Sequence, residues 1–293
     1  MRNKGQFLLI ALVTFLFVGC QYAPRGSSRA LFFEKAVITK EHVDEAASIE
    51  AELAKTYRTP PPEGQPWFRT LPGTSRVLVV AGHATAHIRE GQQKLEDRGT
   101  GSLAVMLNKL AGCPVIYTTY QSPSDPNYYD DNDFKRTLSQ MIKQYSPAVV
   151  LDLHASHFNR PYDVDFGTMG GTSLLGAPKF LQLLAKSLRN EGLSNFSQDF
   201  FAATKNQTIT KWVSKQGIPG IQCEFNSTWM LPPGRPEQNA LQQQRFAQLL
   251  QALTRFVHAV DNQRFVGGPG LSSRVLTTEW FYSDSVMQLD YPG

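Results

Sequence analysis

The chain has 293 residues, a formal net charge of +4 and three cysteines. Charged residues make up 18 % of it, and no Lys/Arg run is dense enough for a nucleic-acid footprint. No CxxC or Cys/His zinc-finger spacing occurs, and the apolar content suits one large globular domain.

The first twenty residues read as an export signal. Arg2 and Lys4 precede a run from Phe7 to Val18 in which Thr14 is the only polar residue. Such a run of about twelve residues is short for a membrane span and suits a signal h-region. It ends at Gly19-Cys20, which resembles the lipobox of bacterial lipoproteins, with Phe17 where that pattern prefers Leu. The expectation is a signal peptide over 1–20, a lipid on the Cys20 sulfur, and a mature protein held at the membrane of the bacterial cell envelope, on its periplasmic side, by acyl chains. Ordinary cleavage near Gly19 with a soluble product and an uncleaved anchor are the alternatives. Residues 21–71 read as a tether and a peripheral helix, with helical composition from Glu41 to Thr56 and a break at Pro60-Pro61-Pro62. The catalytic domain is expected over 72–293.

From there the signals alternate. The run 76–81 is apolar, as in a buried parallel strand. Thr100 to Ala111 carries Leu103, Met106, Leu107 and Leu110 at helical spacing, and Gly112 ends it. Pro114 to Thr119 predicts a strand, Phe134 to Tyr145 a helix, Ala148 to Leu153 a strand and Val164 to Thr168 another. Helices follow over Pro178 to Glu191, with Gly192 at the end, and over Gln207 to Gln216. Ile218 to Phe225 reads as a strand and Glu237 to Val260 as a long amphipathic helix. This order predicts an α/β fold, a mostly parallel or mixed sheet with helices on both faces. In such sheets the active site lies beyond the carboxyl ends of the strands.

The residues able to do chemistry sit there. One strand runs into Gly82-His83, another into Asp152-Leu153-His154, and a later one carries Glu224. Two imidazoles and a carboxylate, with one position left for water, form the ligand set of a catalytic zinc site. Zinc polarises a carbonyl and lowers the pKa of water, and a free carboxylate nearby serves as general base. Asp152 suits a partner that orients an imidazole. Glu224 in an apolar strand is costly to bury without a role or a partner. His87 and His157 read as surface groups or as groups behind the ligands. Arg98 at a helix start opposes the helix dipole and points to an anion. Arg160, six residues past His154, suits a substrate carboxylate, with pairing to Asp163 or Asp165 as the alternative. Cys113 and Cys223 read as buried free thiols, a disulfide between them being the other possibility in an envelope compartment.

The stretches Gly82-His83-Ala84, His87-Ile88-Arg89-Glu90-Gly91 and Asp97-Arg98-Gly99-Thr100-Gly101 resemble the N-formylglutamate amidohydrolase family. So do Asp125-Pro126-Asn127-Tyr128, Leu151-Asp152-Leu153-His154-Ala155 and Asp163 to Thr168. The likeness spans roughly residues 76–260. It implies a phosphorylase/hydrolase-like fold related to zinc carboxypeptidases and hydrolysis of an amide next to a carboxylate. It also implies one zinc ion held by His83, an acidic residue and His154, with Glu224 as base. Zinc carboxypeptidases use HxxE at the first ligand pair, whereas Ala86 stands three residues after His83. The acidic ligand must come from later in the loop; Asp97 is the choice, with Glu96 and Glu90 as rivals. The export signal favours peptides, cell-wall fragments or acylated amino acids over formylglutamate itself. A catalytically inactive envelope lipoprotein that binds a ligand or partner in the same cleft is the alternative function. A metal-independent hydrolase is disfavoured, since no Gly-x-Ser-x-Gly elbow occurs.

Overall fold

A computed structural model describes residues 37–231 and 240–262. The expected signal segment, Cys20, most of the tether, residues 237–239 and the chain after 262 lie outside the described residues.

Helix α1 (Lys40–Ala54) opens with Thr39, whose backbone N–H donates to His42 Nδ1 at 3.1 Å. It buries Val43, Ala46, Ala47, Glu50 and Leu53 on one face, the spacing of an amphipathic helix. The strands are β1 (Phe68–Leu71), β2 (Val77–Ala81), β5 (Val115–Thr118), β6 (Val149–Ser156), β7 (Val164–Gly167), β8 (Phe196–Gln198) and β9 (Gly220–Asn226), with a separate hairpin of β3 (His87–Arg89) and β4 (Gln92–Lys94). They form a seven-stranded sheet in the order β1-β5-β2-β6-β9-β7-β8. The β1–β5 and β7–β9 pairs are antiparallel and the others parallel. The expected α/β architecture is therefore present.

Side chains alternate along each strand, and the alternation divides the interior in two. Val77, Val79, Leu151, Leu153, Ile221 and Phe225 join the larger core, with α2 (Thr100–Ala111), α4 (Lys179–Asn190) and α6 (Ala240–Asn262). Leu78, Val80, Ile116 and Val150 join the other, with Trp67, α3 (Asp133–Tyr145) and α5 (Ile209–Lys215). Every residue of β2 is buried, so both faces of this strand are covered. Continuing the alternation from Val150 puts Asp152 and His154 on the α3/α5 side of the sheet.

Local chemistry explains the helix limits. Asn132 caps α3 by accepting from Lys135 N at 2.9 Å, and Thr208 caps α5 by accepting from Lys211 N at 3.2 Å. Gly99 begins α2 at φ 87°, and a Cβ there would lie 3.0 Å from Met230 Cβ, so both backbone and packing demand glycine. Gly112 ends α2 at φ 67°.

Two strands run further than their apolar stretches suggest. β6 reaches Ser156, so His154 lies within the strand rather than beyond it, and β9 reaches Asn226 with Glu224 near its end as read. The expected start of the domain at residue 72 cuts through a continuous structure. β1 is an edge strand of the main sheet, and residues of α1 belong to the larger core. Cys113 and Cys223 are buried and free. Among the described residues no helix is long and apolar enough to cross a membrane.

Candidate metal centre

His83 follows β2, Asp97 precedes α2, and His154 and Glu224 come from β6 and β9. The His83 and His154 rings lie 4.8 Å apart between centroids at 76°. Asp97 Oδ2 lies 2.8 Å from His154 Nδ1 and 3.6 Å from His83 Nδ1. The two Nδ1 atoms thus converge on one carboxylate oxygen, and one ligand atom from each residue falls within 4.8 Å of the others. Asp97 is held in place by its own backbone, whose N–H donates to His83 O at 2.7 Å.

Neither rival carboxylate joins this group. Glu96 turns away to Arg58 and Arg98, and Glu90 is exposed and accepts from Tyr128 Oη. His157 is exposed and bonded to Asn159. His87, expected as a surface group or one behind the ligands, is 3 % exposed and stacks on His83 with centroids 3.8 Å apart.

Behind the converging atoms stand two more carboxylates. Asp125 Oδ1 lies 2.8 Å from His83 Nε2, and Asp152 Oδ1 lies 3.3 Å from His154 Nε2. Asn127 Nδ2 is 3.3 Å from the same His154 atom. His83 therefore presents Nδ1 forward while Asp125 fixes its far nitrogen, the support that a metal-ligating histidine needs; the far nitrogen of His154 is held by Asn127, and Asp152 faces it as a charge with neither oxygen in a hydrogen bond. His83, His87 and Asp125 also cluster within ligand distance. There, however, Arg89 Nε and Nη2 each lie 2.6 Å from Asp125 Oδ2, so a metal ion would sit against a guanidinium. The donors around Asp97 fit a cation; the Asp125 group is their support.

The local field says the same. Asp97, Asp125, Asp152 and Glu224 outnumber the fixed cations that act on them, Arg89 beside Asp125 and the buried Lys135, whose charge Asp152 and Asp125 favour. Burial opposes charge on His83, but Asp125 and Asp97 outweigh it and raise its pKa to about 9. Burial likewise opposes charge on His154, yet Asp152 and Asp97 raise it well above the ordinary value. Asp97 resists burial through the two imidazoles and stays well below the usual carboxylate range. Burial and the charge on His83 push His87 down to about 3, so it packs as a neutral ring. These carboxylates favour positive charge at the point where the Nδ1 atoms meet.

Glu224 is the Cα partner of His154 across β6–β9, so the two side chains share a face. It is half-buried and accepts from Gln222 Nε2 at 3.0 Å. Burial raises its pKa to about 7, against the opposing pull of His154. A carboxyl tuned near neutrality is suited to taking and returning a proton.

Arg160 pairs with neither acid considered for it. Asp163 accepts from Trp229 Nε1, Ser194 N and Asn195 N, while Asp165 accepts from Ser197 Oγ, Phe200 N and Phe201 N. The Arg160 guanidinium lies over Phe200 and Phe201 at 5.3 and 5.1 Å from their centroids, and its Nε is buried without a hydrogen-bond partner. Burial pushes the Tyr162 phenol up, and both Glu224 and Arg160 act on it. A cavity of about 410 Å³ is lined by Asp97, Arg98, Ser156, His157, Met230 and Leu231, among others. Arg98 reaches its wall with its Nε 2.9 Å from Glu96, so its charge already has an internal partner.

The residue-by-residue reading assigned no role to Asp125 or Asn127. Their signal is position: both lie in the loop after β5, at the strand-end edge where the other functional groups were sought.

No family model matches the chain, and no curated protein matches it. Among solved structures it is similar to an N-formylglutamate amidohydrolase from Ralstonia eutropha, at 16 % identity over 66 % of this chain and 98 % of that one, with a TM-score of 0.46. It is also similar to a bacteriophage poly-gamma-glutamate hydrolase, at 13 % identity over 66 % and 89 % of the two chains, with a TM-score of 0.43. A zinc-dependent exopeptidase from Parabacteroides distasonis shares 12 % identity over 75 % and 98 %, with a TM-score of 0.42.

Proposed function

We propose that the chain is a zinc-dependent hydrolase of an amide bond in a substrate carrying a carboxylate: an acylated amino acid, a peptide or a cell-wall fragment. The observation that carries this reading is the convergence of His83 Nδ1 and His154 Nδ1 on Asp97 Oδ2. Glu224 lies beside His154, on the same face of the sheet. His83, Asp97 and His154 would hold the ion; when bound, it supplies a Lewis acid that polarises a carbonyl and lowers the pKa of water. Asp125 holds the His83 ring and Asn127 the His154 ring so that both Nδ1 atoms keep facing forward, while Asp152 adds negative charge behind His154. Glu224, poised near pH 7, takes a proton from water and passes it to the leaving amine. Arg160, with its unsatisfied Nε, receives the substrate carboxylate.

The test is metal analysis and turnover of one purified preparation, screened against acyl-amino acids and short peptides. The expected result is about one zinc per chain, lost in His83→Ala, and retained in Glu224→Gln with turnover down by several orders of magnitude. Wild-type protein with no tightly held zinc, or a fully active Glu224→Gln, refutes the reading.

Location belongs to the same proposal. The Gly19-Cys20 junction after an apolar run supports a lipid tether at Cys20 in the bacterial envelope. Fatty-acid labelling that persists in Cys20→Ser would rule this out.

A further inference from the structure

The site leaves one feature unexplained: its acidic ligand sits in a long connection. A residue three positions after a histidine is fixed by the same turn that fixes the histidine. Here that position is Ala86, and Asp97 lies beyond the whole β3–β4 hairpin. Helix α2 follows Asp97 directly, and its own N-cap is Gly99, which provides no side chain to receive the first N–H groups.

We propose that residues 50–58, which precede the sheet, form a positioning clamp for Asp97; the inference rests on the metal-centre reading above. Glu50, 1 % exposed on α1, supplies the missing cap from another helix. Its Oε1 accepts from Gly99 N at 2.6 Å and its Oε2 from Ser102 N at 3.4 Å, while Tyr57 Oη donates to the same carboxyl. A carboxyl at a helix N-terminus meets the positive end of the dipole. Arg58 holds the residue on the other side of Asp97: its Nε and Nη2 lie 3.1 and 3.0 Å from the two oxygens of Glu96, whose side chain is 1 % exposed. Tyr57 O accepts from Ala86 N at 2.8 Å, three residues beyond His83. One short segment thus grips the chain just before Asp97, just after it, and just after His83. In between, Thr100 Oγ1 donates to Asp97 O at 2.6 Å, so a shift of the α2 start moves Asp97 directly. Glu50, Tyr57 and Arg58 touch neither imidazole; they are positioning residues whose effect passes through Asp97.

The test compares zinc dissociation constants, by competition with a chromophoric chelator, in the full-length chain purified in detergent. The variants are Arg58→Met and Glu50→Gln, with Lys109→Met as the matched control. Lys109 also ties α2 to α1, through Glu45, but on the exposed side and away from the loop. The first two should bind zinc at least tenfold more weakly, the range seen when groups behind metal ligands are removed. Lys109→Met should stay within about twofold of wild type, as expected for an exposed ion pair. Far-UV circular dichroism checks folding; if Glu50→Gln fails to fold, Arg58→Met, altered at a half-exposed side chain, decides the matter. Wild-type affinity in folded Arg58→Met overturns the proposal, and so does equal weakening in Lys109→Met. A wild-type chain that binds no zinc refutes the metal reading itself, a separate outcome.

Discussion

Asp125 is fully buried and accepts from His83 Nε2 at 2.8 Å, Asn127 N at 2.8 Å, and Arg89 Nε and Nη2 at 2.6 Å each. Asp125→Asn keeps the shape and removes the charge. The surviving oxygen still accepts on one side, but the new amide nitrogen faces either Arg89 or His83, donor against donor. Losing the Arg89 pair removes two charge-assisted hydrogen bonds at about 1.5–3 kcal/mol each. Arg89 is 28 % exposed and regains some water, which favours the lower end, so about 3 kcal/mol is expected, close to the cost of breaking a buried pair. For a domain of this size that is a fall in Tm of about 6–12 °C. The assay is thermal and urea unfolding of metal-stripped protein. A Tm within about 2 °C of wild type would refute the reasoning.

The pH dependence gives an independent check on the same variant. Asp125 is held below its usual 3.8 despite burial, because His83 and the other cations outweigh it. Its contribution is therefore present above about pH 3.8 and lost as pH falls. Asp125 and Asp97 raise His83 from 6.5 to about 9. That contribution is complete below pH 6.5 and lost as pH rises through about 9. Metal-stripped wild type should thus lose stability between pH 6.5 and 9, and Asp125→Asn should lose distinctly less. His154 keeps its own alkaline limb in both proteins, so the difference between the two curves is the readout, and identical curves would argue against the Asp125–His83 coupling.

Further substitutions divide the site by role. Asp97→Asn should weaken zinc binding by at least tenfold, whereas Glu90→Gln, at an exposed residue whose carboxyl accepts from Tyr128, should leave it unchanged in the same chelator titration. Arg160→Met should raise KM for carboxylate-bearing substrates by about tenfold or more with zinc content unaltered, and should matter far less for the amidated analogues. Saturating zinc at about 100 times its Kd should stabilise wild type by about 2.7 kcal/mol in urea unfolding, a gain that His154→Ala should lack.

The fold was legible wherever apolar periodicity was strong. Thr100 to Ala111 is helical as read, because Leu103, Met106 and Leu107 all face the core and Gly112 stops the helix. The elements that escaped have no such pattern. β1 is four residues beside a proline-rich stretch, β8 is three residues, and the hairpin strand β4 is Gln-Gln-Lys, without a buried face. Their pairing comes from tertiary neighbours, which override weak local preference.

The site divides along the same line. His83, His154 and Glu224 stood out because polar groups at the ends of apolar strands have few inexpensive explanations. Asp125 and Glu50 act across 42 and 49 residues of sequence, where no spacing rule reaches. Yet they follow from the physics of the residues that were legible. A centre that gathers Asp97, Asp125, Asp152 and Glu224 exceeds what Arg89 and Lys135 can neutralise, and the excess favours the charged form of both imidazoles. Protons on the Nδ1 atoms and a divalent cation between them meet the same electrostatic demand, but only the cation does so without filling the lone pairs. The carboxylates behind the rings therefore make the point between them costly to leave without positive charge, and Asp125 also aims its imidazole. An arrangement whose only task was structural would gain more from apolar packing there than from this many buried acids. That cost is the reason to read the cluster as a metal centre.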